Sequence, residues 1–318
     1  MKNLVALTKS VKSLFKRRAA GATEHAVVAG LPLPAHVAII MDGNNRWAQQ
    51  RNLAGVSGHR SGVETIRKVL SACQENGIKV LTLYAFSSEN WQRPEREVQE
   101  LMKLLRLYLQ NELQELHSRG TRMRFIGRRD RLDPDIVALM QRAEQLTAEN
   151  SGSHLVLAID YGGRWDIAAT AKKLAARVAQ GELELAAIDE SLFGQQISLA
   201  DLPEPDLCIR TGAEHRLSNF LLWQLSYAEL YFCDCYWPDF DQQQFNAALH
   251  EFGVRQRRFG KTESQVQTGR ASLAPGRDAA SAGVLPSNCA AEDIKPAEYT
   301  QHSNEQAQQK VAGWPPHA

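Results

Sequence analysis

His36 precedes Val37-Ala38-Ile39-Ile40-Met41, a short apolar run, and Asp42-Gly43-Asn44-Asn45-Arg46-Trp47 follows that run with mostly polar side chains. This order predicts a buried strand, followed by a turn and then by the start of a helix. Further short apolar runs occur at Val80–Phe86, Arg122–Ile126, Leu155–Ile159, Leu207–Ile209 and Leu230–Phe232. Helical patterns occur at Val63–Asn76, Glu95–Arg119, Pro134–Asn150, Asp166–Gln180, Asn219–Tyr227 and Phe245–Arg258. The alternation predicts an α/β domain with a central parallel sheet flanked by helices.

Composition excludes several classes of protein. The chain has 318 residues, 37 basic and 36 acidic side chains and a net charge of +1, so bulk charge does not favour nucleic acid. No run approaches the roughly 20 apolar residues of a membrane span. Five scattered cysteines predict a reducing compartment rather than a disulfide framework. Cys233 and Cys235 lack a second Cys/His pair at zinc-ligand spacing.

The charge along the chain predicts three segments. Residues 1–30 carry a net charge of +5, residues 31–260 carry −3 and residues 261–318 carry −1. The acidic body, 31–260, contains the alternating strands and helices and is predicted to be one α/β domain, which becomes the catalytic domain if the resemblance described below holds. The tail, 261–318, contains five of the twelve prolines and few large apolar residues, which predicts disorder.

The basic head has a helical apolar pattern. Its apolar positions are Leu4, Leu7, Val11, Leu14 and Phe15, with lysines between them. Three interpretations stay open: peripheral contact of residues 1–18 with an anionic membrane, an organelle transit peptide, or an extension without a role.

Polar side chains follow three predicted strands at the point where each ends. Arg46 follows the first strand, Arg93 the second, and Arg210 and Arg216 the fifth. Ligands bind outside the carboxyl ends of parallel strands and arginines suit phosphate oxygens, so these side chains predict a site for one or two polyanions. Asp42 would repel such an anion unless it holds a divalent cation such as Mg²⁺; alternatively, it only caps the turn.

The pattern Glu95–Arg119 carries an unusually wide apolar stripe. Its members are Val98, Leu101, Met102, Leu105, Leu109, Leu113 and Leu116. Periodicity alone leaves two interpretations open, ordinary core packing and one wall of an apolar tunnel. Nucleotide hydrolysis is disfavoured, because the chain has neither G-x-G-x-x-G after a strand nor a complete P-loop.

Several blocks in a fixed order resemble the cis-prenyltransferase family of undecaprenyl diphosphate synthase type over residues 34–262. These blocks are His36–Asn44, Gly58-His59, Leu81–Pro94, Tyr161–Arg164, Arg210–Phe220, Tyr227–Phe232 and Trp237–Phe240. The resemblance implies stepwise condensation of isopentenyl diphosphate onto (2E,6E)-farnesyl diphosphate, each new double bond being cis. It also implies a hydrophobic tunnel, a cytoplasmic homodimer, and undecaprenyl diphosphate, the precursor of a lipid carrier for cell-wall peptidoglycan, as the product.

The same resemblance implies roles for individual residues. The acids that contact Mg²⁺ fall on Asp42 and Glu229. Allylic diphosphate contacts fall on Gly43, Asn44, Asn45 and Arg46, with Trp47 and His59 beside them. Isopentenyl diphosphate contacts fall on Arg210, Arg216, Leu217 and Ser218. A substrate-positioning loop falls on Ser87, Ser88, Glu89, Asn90, Trp91 and Arg93, with Asn90 at the place of a proton acceptor. An amide is not a base near neutral pH, so we expect Asn90 to orient or relay.

Four positions depart from the common family pattern. Asn45 and Ala213 stand where glycine is frequent, and Asp160 stands where asparagine is usual. Gly55 stands where many members place a phosphate-binding arginine. None of the four is the predicted metal acid or an arginine of the fifth strand end, so we expect an active enzyme.

Other functions fit less well. A trans-prenyltransferase would carry D-D-x-x-D motifs, which are missing. A short- or medium-chain cis-prenyl diphosphate synthase shares the motifs and differs in product length. A non-catalytic subunit would usually have lost Asp42 or the pair Arg210 and Arg216, all of which are present.

Overall fold

Six parallel strands form one sheet in the part of the chain that the structure, a computed structural model, describes, which is residue 28 and residues 30–255. They are β1 (His36–Ile40), β2 (Val80–Ser87), β3 (Arg122–Ile126), β4 (His154–Tyr161), β5 (Leu207–Arg210) and β6 (Glu229–Phe232). Their order is β3-β4-β2-β1-β5-β6 and every neighbouring pair is parallel. The predicted fold class and all six predicted strands are confirmed.

Seven α-helices accompany the sheet in residues 30–255. They are α1 (Asn44–Gln50), α2 (Gly55–Glu75), α3 (Glu95–Ser118), α4 (Pro134–Leu146), α5 (Gly163–Ala179), α6 (Glu190–Gly194) and α7 (Gln242–Val254). Short 3₁₀ helices lie at Ser88–Gln92, Leu185–Ala187 and Trp237–Asp239. Among the described helices, none combines the length and hydropathy that a membrane span needs. The predictions for residues 1–27 and 261–318 fall outside the described residues.

The core has two apolar layers, one on each face of the sheet. Along β1, Val37 and Ile39 belong to one cluster of buried side chains, whereas Ala38 and Ile40 belong to the other. Successive side chains of a strand point to opposite faces, so a strand that is apolar throughout must be covered on both. This placement leaves the strand ends as the place where polar side chains gather.

Two helix predictions need correction. Helix α2 begins at Gly55 rather than Val63, because Gly58 and Gly62 interrupt the apolar pattern; a Cβ on Gly58 would lie 2.0 Å from the Asn44 carbonyl oxygen. The segment Asn219–Tyr227 forms turns instead of a helix. Its beginning is left-handed, with φ of 63° at Asn219, which a right-handed helix does not accept.

The cysteine prediction also needs correction at one place. A disulfide joins Cys233 and Cys235, whose Cα atoms lie 5.5 Å apart, whereas Cys73 and Cys208 are buried free thiols. The two bonded cysteines are only two positions apart in sequence. The bond therefore joins no distant elements and does not make a disulfide framework.

A buried histidine ties β1 to its neighbours. The His36 Nδ1–H group donates to the Pro203 carbonyl at 2.7 Å, and Nε2 accepts from the Thr82 hydroxyl at 2.7 Å. Both ring nitrogens are thus used by the neutral form, and burial lowers the pKa of His36 to about 4.

We expect the free energy of unfolding to fall as the pH is lowered from about 6.5 through 4. The folded pKa of His36 lies below its unfolded value, so its contribution is complete above the unfolded pKa and is lost below it, on the order of 3 kcal/mol in all. Urea unfolding between pH 7 and pH 4 measures this slope. The variant His36→Gln does not titrate and should show a shallower slope; equal slopes would contradict the assignment.

Candidate active site

A cavity of about 780 Å³ opens at the carboxyl ends of β1, β2 and β5. One part of it is lined by polar side chains that follow these strands, and the rest by apolar side chains from α2, α3 and β4. Helix α3 contributes Leu101, Met102, Leu104, Leu105 and Tyr108. Leu109, Leu113 and Leu116 of the same helix are buried in the core. The apolar stripe therefore serves both predicted purposes, core packing and cavity wall.

The turn after β1 places Asp42 between two arginines. Its Oδ2 atom accepts from Arg210 at 2.9 Å, and its Oδ1 atom lies 3.2 Å from an Arg46 guanidinium nitrogen. Gly43 makes this turn possible, since its φ is 101° and a Cβ there would lie 2.6 Å from the Tyr236 ring. The predicted meeting of the β1 acid with the arginine of the fifth strand is confirmed.

Arg210 is the most deeply buried of the site's arginines. Besides Asp42, it donates to the Ser218 hydroxyl at 2.7 Å and to the Arg216 carbonyl oxygen. Its Nε atom is buried without a hydrogen-bond partner among the described residues. A guanidinium that is held on one edge and has a spare donor is prepared to bind an oxyanion.

Glu214 is a site residue that the sequence analysis missed. Its carboxylate pairs with Arg216 and lies 3.5 Å from Arg46, and it lines the cavity. In this structure it thereby balances positive charge from two different strand ends. The only signal in the sequence is its position inside the block Arg210–Phe220.

The 3₁₀ turn Ser88–Gln92 presents Asn90 to the cavity. The Asn90 side-chain oxygen accepts from the Ser87 backbone N–H at 3.0 Å, forming a capping box. The side-chain oxygen is thus occupied, and the NH₂ group is left as a donor. This arrangement agrees with the expectation that Asn90 orients a substrate oxygen rather than acting as a base.

Two of the family departures, Asn45 and Gly55, lie side by side. The Asn45 amide donates to Glu97 Oε1 at 3.0 Å, and Arg93 donates to the same oxygen at 3.0 Å. A Cβ on Gly55 would lie 2.6 Å from Asn45 Oδ1. The Asn45 side chain therefore occupies the space beside Gly55 and helps to hold Arg93 through Glu97.

His59 lines the cavity from α2 with an unpartnered, buried Nε2 atom. Burial, reinforced by the charge of Arg93, lowers the pKa of His59 to about 4. The imidazole is therefore neutral at physiological pH and adds no positive charge to the site.

Most of the predicted site residues line this one cavity. They are Asp42, Asn44, Arg46, His59, Ser87, Glu89, Asn90, Arg93, Arg210, Arg216 and Ser218. Gly43, Asn45, Ser88, Trp91 and Leu217 lie beside it without lining it. The side chain of Trp47 donates to Asp239 at 2.8 Å and stacks against Arg51, and it too is absent from the cavity wall.

The prediction that Glu229 joins Asp42 at one metal is not supported within this chain. Glu229 begins β6 and is paired in register with Leu207, whereas the site lies at the other end, where Arg210 is paired with Phe232. Three residues of strand separate these ends by about 10 Å. Glu229 instead accepts from Arg255 at 2.9 Å.

The donor set at Asp42 suits Mg²⁺ held mainly by a substrate. Among the described residues, no group of three or more His, Cys, Asp or Glu side chains forms a metal cage. Mg²⁺ is commonly bound through one or two carboxylates together with substrate phosphates. The half-exposed Asp42 carboxylate, placed beside arginines that attract phosphate, fits that mode.

Comparisons with known proteins agree on one family. Residues 40–260 match the Prenyltransf family model, whose description reads "Putative undecaprenyl diphosphate synthase". A relative from Pseudomonas aeruginosa, named ditrans,polycis-undecaprenyl-diphosphate synthase ((2E,6E)-farnesyl-diphosphate specific), is 54% identical over 235 residues, covering 74% of this chain and 94% of that protein. The Escherichia coli K12 protein of the same name is 49% identical over 240 residues, covering 74% and 95%.

Solved structures show the same relationship. Lavandulyl diphosphate synthase from Lavandula x intermedia, crystallised with dimethylallyl diphosphate, superimposes with a TM-score of 0.70 at 39% identity, covering 72% of this chain and 99% of that one. A probable undecaprenyl diphosphate synthase from Campylobacter jejuni gives 0.61 at 35% identity, covering 73% and 100%. The fold and these relatives together define the chain as a prenyltransferase. The chain belongs to the undecaprenyl diphosphate synthase family of prenyltransferases.

Proposed function

We propose that this protein condenses isopentenyl diphosphate successively onto (2E,6E)-farnesyl diphosphate, with cis double bonds, to make undecaprenyl diphosphate. The observation that carries the proposal is the contact of Asp42 with Arg46 and Arg210 beside an apolar cavity. Positively charged side chains bind the diphosphates, and apolar side chains line the space that receives the growing hydrocarbon chain. Both are present in one cavity.

The two diphosphates are assigned to different strand ends. Asn44 and Arg46, after β1, face the allylic diphosphate, while Arg210, Arg216 and Ser218, after β5, face isopentenyl diphosphate. Glu214 pairs with Arg46 and Arg216 in this structure, and its carboxylate moves away from them when the diphosphates bind. Arg93, now held by Glu97, follows the turn after β2, on the other side of β1 from β5.

The reaction forms one carbon–carbon bond and breaks one carbon–oxygen bond. The double bond of isopentenyl diphosphate attacks C1 of the allylic substrate through C4, diphosphate leaves, and C2 of isopentenyl diphosphate loses a proton. Arg46 and Arg93 stabilise the charge on the leaving oxygens. Asn90 donates its NH₂ group to a diphosphate oxygen and thereby orients it.

Asp42 is the residue that would hold Mg²⁺, together with diphosphate oxygens. When bound, the cation supplies positive charge that neutralises the departing diphosphate. A homodimer, a role in peptidoglycan synthesis and a cytoplasmic location complete the proposal, and they rest on the resemblance. Peripheral membrane contact through residues 1–18 stays a prediction.

Sizing the product tests the proposal. The full chain is incubated with farnesyl diphosphate, labelled isopentenyl diphosphate and Mg²⁺, and the hydrolysed products are separated by thin-layer chromatography. We expect a product of eleven isoprene units, because undecaprenyl diphosphate has that length. Accumulation after two or three additions would indicate a short-chain synthase instead, and absence of any labelled prenyl product would indicate a non-catalytic subunit.

A further inference from the structure

We propose that Asp160 and Arg131 are positioning residues that hold the turn Ser88–Gln92 from its side away from the cavity. This inference rests on the proposed prenyl transfer, because that turn carries Asn90. Asp160 lies in β4 and is fully buried. Arg131 donates from Nε to Asp160 Oδ2 at 2.9 Å and from a terminal nitrogen to Oδ1, so the ion pair is bidentate. Bidentate pairs fix geometry as well as charge.

The pair touches the turn at two places. The Ser88 hydroxyl lies 3.1 Å from Asp160 Oδ1 and 3.3 Å from the Asp160 carbonyl oxygen. The Arg131 guanidinium lies 5.5 Å from the centre of the Trp91 ring, at cation–π distance. Trp91 in turn packs edge-on against Phe86, with ring centres 5.2 Å apart. One ion pair thus contacts the turn at both its first residue and its fourth.

The geometry of a 3₁₀ helix explains why these two contacts matter. With three residues per turn, side chains three apart share one face. Ser88 and Trp91 are three apart and contact the ion pair, whereas Ser87, Asn90 and Arg93 are spaced by three and line the cavity. Neither Asp160 nor Arg131 lines the cavity. Asp160 and Arg131 therefore act through the turn. By holding Ser88 and Trp91, they fix the orientation of the turn in which Asn90 faces the substrates.

Asparagine matches Asp160 in shape and lacks only its charge. The backbone of Asp160 is left-handed, with φ of 50°, and asparagine accepts that conformation as readily as aspartate. Asp160→Asn therefore removes the ion pair without adding backbone strain. It keeps a side-chain oxygen for Ser88 and leaves Arg131 without its charged partner.

The test compares condensation kinetics with backbone hydrogen exchange in full-length variants. Misplacement of a positioned group by about 1 Å can lower rates by about 100-fold, so we expect Asp160→Asn and Arg131→Gln each to lower kcat at least about tenfold. The KM for either substrate should change by less than about threefold, because Arg46, Arg210 and Arg216 follow other strands and stay in place. The double variant should lose no more than the worse single one, since both remove one interaction.

Hydrogen exchange supplies the readout that a general loss of stability would not give. Amides of residues 88–92 should exchange faster in both variants, while those of β4 keep their wild-type rates, and Arg131→Lys should recover part of kcat. The matched control is Arg128→Gln. It breaks an exposed ion pair with Asp130 in the same loop, and it should leave kcat and exchange unchanged.

Each failure has a separate meaning. Wild-type kcat and exchange in Asp160→Asn would overturn the inference. Faster exchange throughout β4, together with a lower melting temperature, would make the pair a general structural contact and would overturn it as well. A wild-type protein that makes no prenyl product would refute the proposed function, and the exchange rates would still decide whether the pair holds the turn.

Discussion

Replacing Asp42 with alanine is expected to lower kcat by about 10³-fold while the protein stays folded. The carboxylate is the one acid at the β1 strand end that can hold Mg²⁺ against a diphosphate, and electrostatic stabilisation of a leaving group is commonly worth about 10²–10³ in rate for a single donor. Loss of the carboxylate also frees Arg46 and Arg210 from their present partner. Alanine leaves the buried Arg210 guanidinium without its counter-charge, so we expect the melting temperature to fall modestly while the protein stays folded.

The matched control is Asp239→Ala. Asp239 is also a surface-accessible acid, and it accepts from Trp47 and Arg51 on the other side of α1 without lining the cavity. Both variants remove one negative charge, and only the Asp42 variant should lose activity. Incorporation of labelled isopentenyl diphosphate at several Mg²⁺ concentrations measures the effect. Full activity of Asp42→Ala would contradict the metal assignment.

The second large effect is expected for Arg210→Lys, which keeps the charge and removes the fork of donors. Arg210 contacts Asp42, Ser218 and the Arg216 carbonyl at once, and lysine has one compact ammonium that cannot reach all three. We expect kcat/KM for isopentenyl diphosphate to fall by about 100-fold, because the fork of hydrogen-bond donors is lost where the diphosphate binds, although the charge stays.

The control for this variant makes the same exchange elsewhere. The control is Arg124→Lys. Arg124 lies on β3, pairs with Asp201 and does not line the cavity. Steady-state kinetics with each substrate varied in turn should show a normal Arg124→Lys enzyme. If Arg210→Lys matched it, the assignment of isopentenyl diphosphate to the β5 strand end would be wrong.

The sequence predicted the strand ends well because two strong signals coincide there. Apolar runs fixed the six strands, and in a parallel sheet their carboxyl ends must share one edge. For that reason Asp42 and Arg210, far apart in sequence, could be assigned to one site. The glycines that let the loops approach were visible in the same blocks; a Cβ on Gly212 would lie 2.9 Å from Arg46.

Side-chain direction was not predictable in the same way. Trp47 turns towards Asp239, a partner almost two hundred residues away, and no local pattern marks that contact. The resemblance assigns Glu229 to the metal, whereas the register of β6 places it, within this chain, at the end of the sheet away from Asp42. The segment after Ser218 looked helical from its apolar spacing, yet Asn219 uses its side chain to bind Glu89 and adopts a left-handed backbone.

The central claim is that one cavity gathers two diphosphates around Asp42 and its arginines and receives the growing chain. A crystal structure with Mg²⁺, isopentenyl diphosphate and an unreactive thiolodiphosphate analogue of farnesyl diphosphate tests it most directly. We predict one diphosphate on Arg46, the other on Arg210 and Arg216, and the farnesyl chain against Leu101 and Leu105. A farnesyl chain outside this cavity, or diphosphates bound away from these arginines, would contradict the claim.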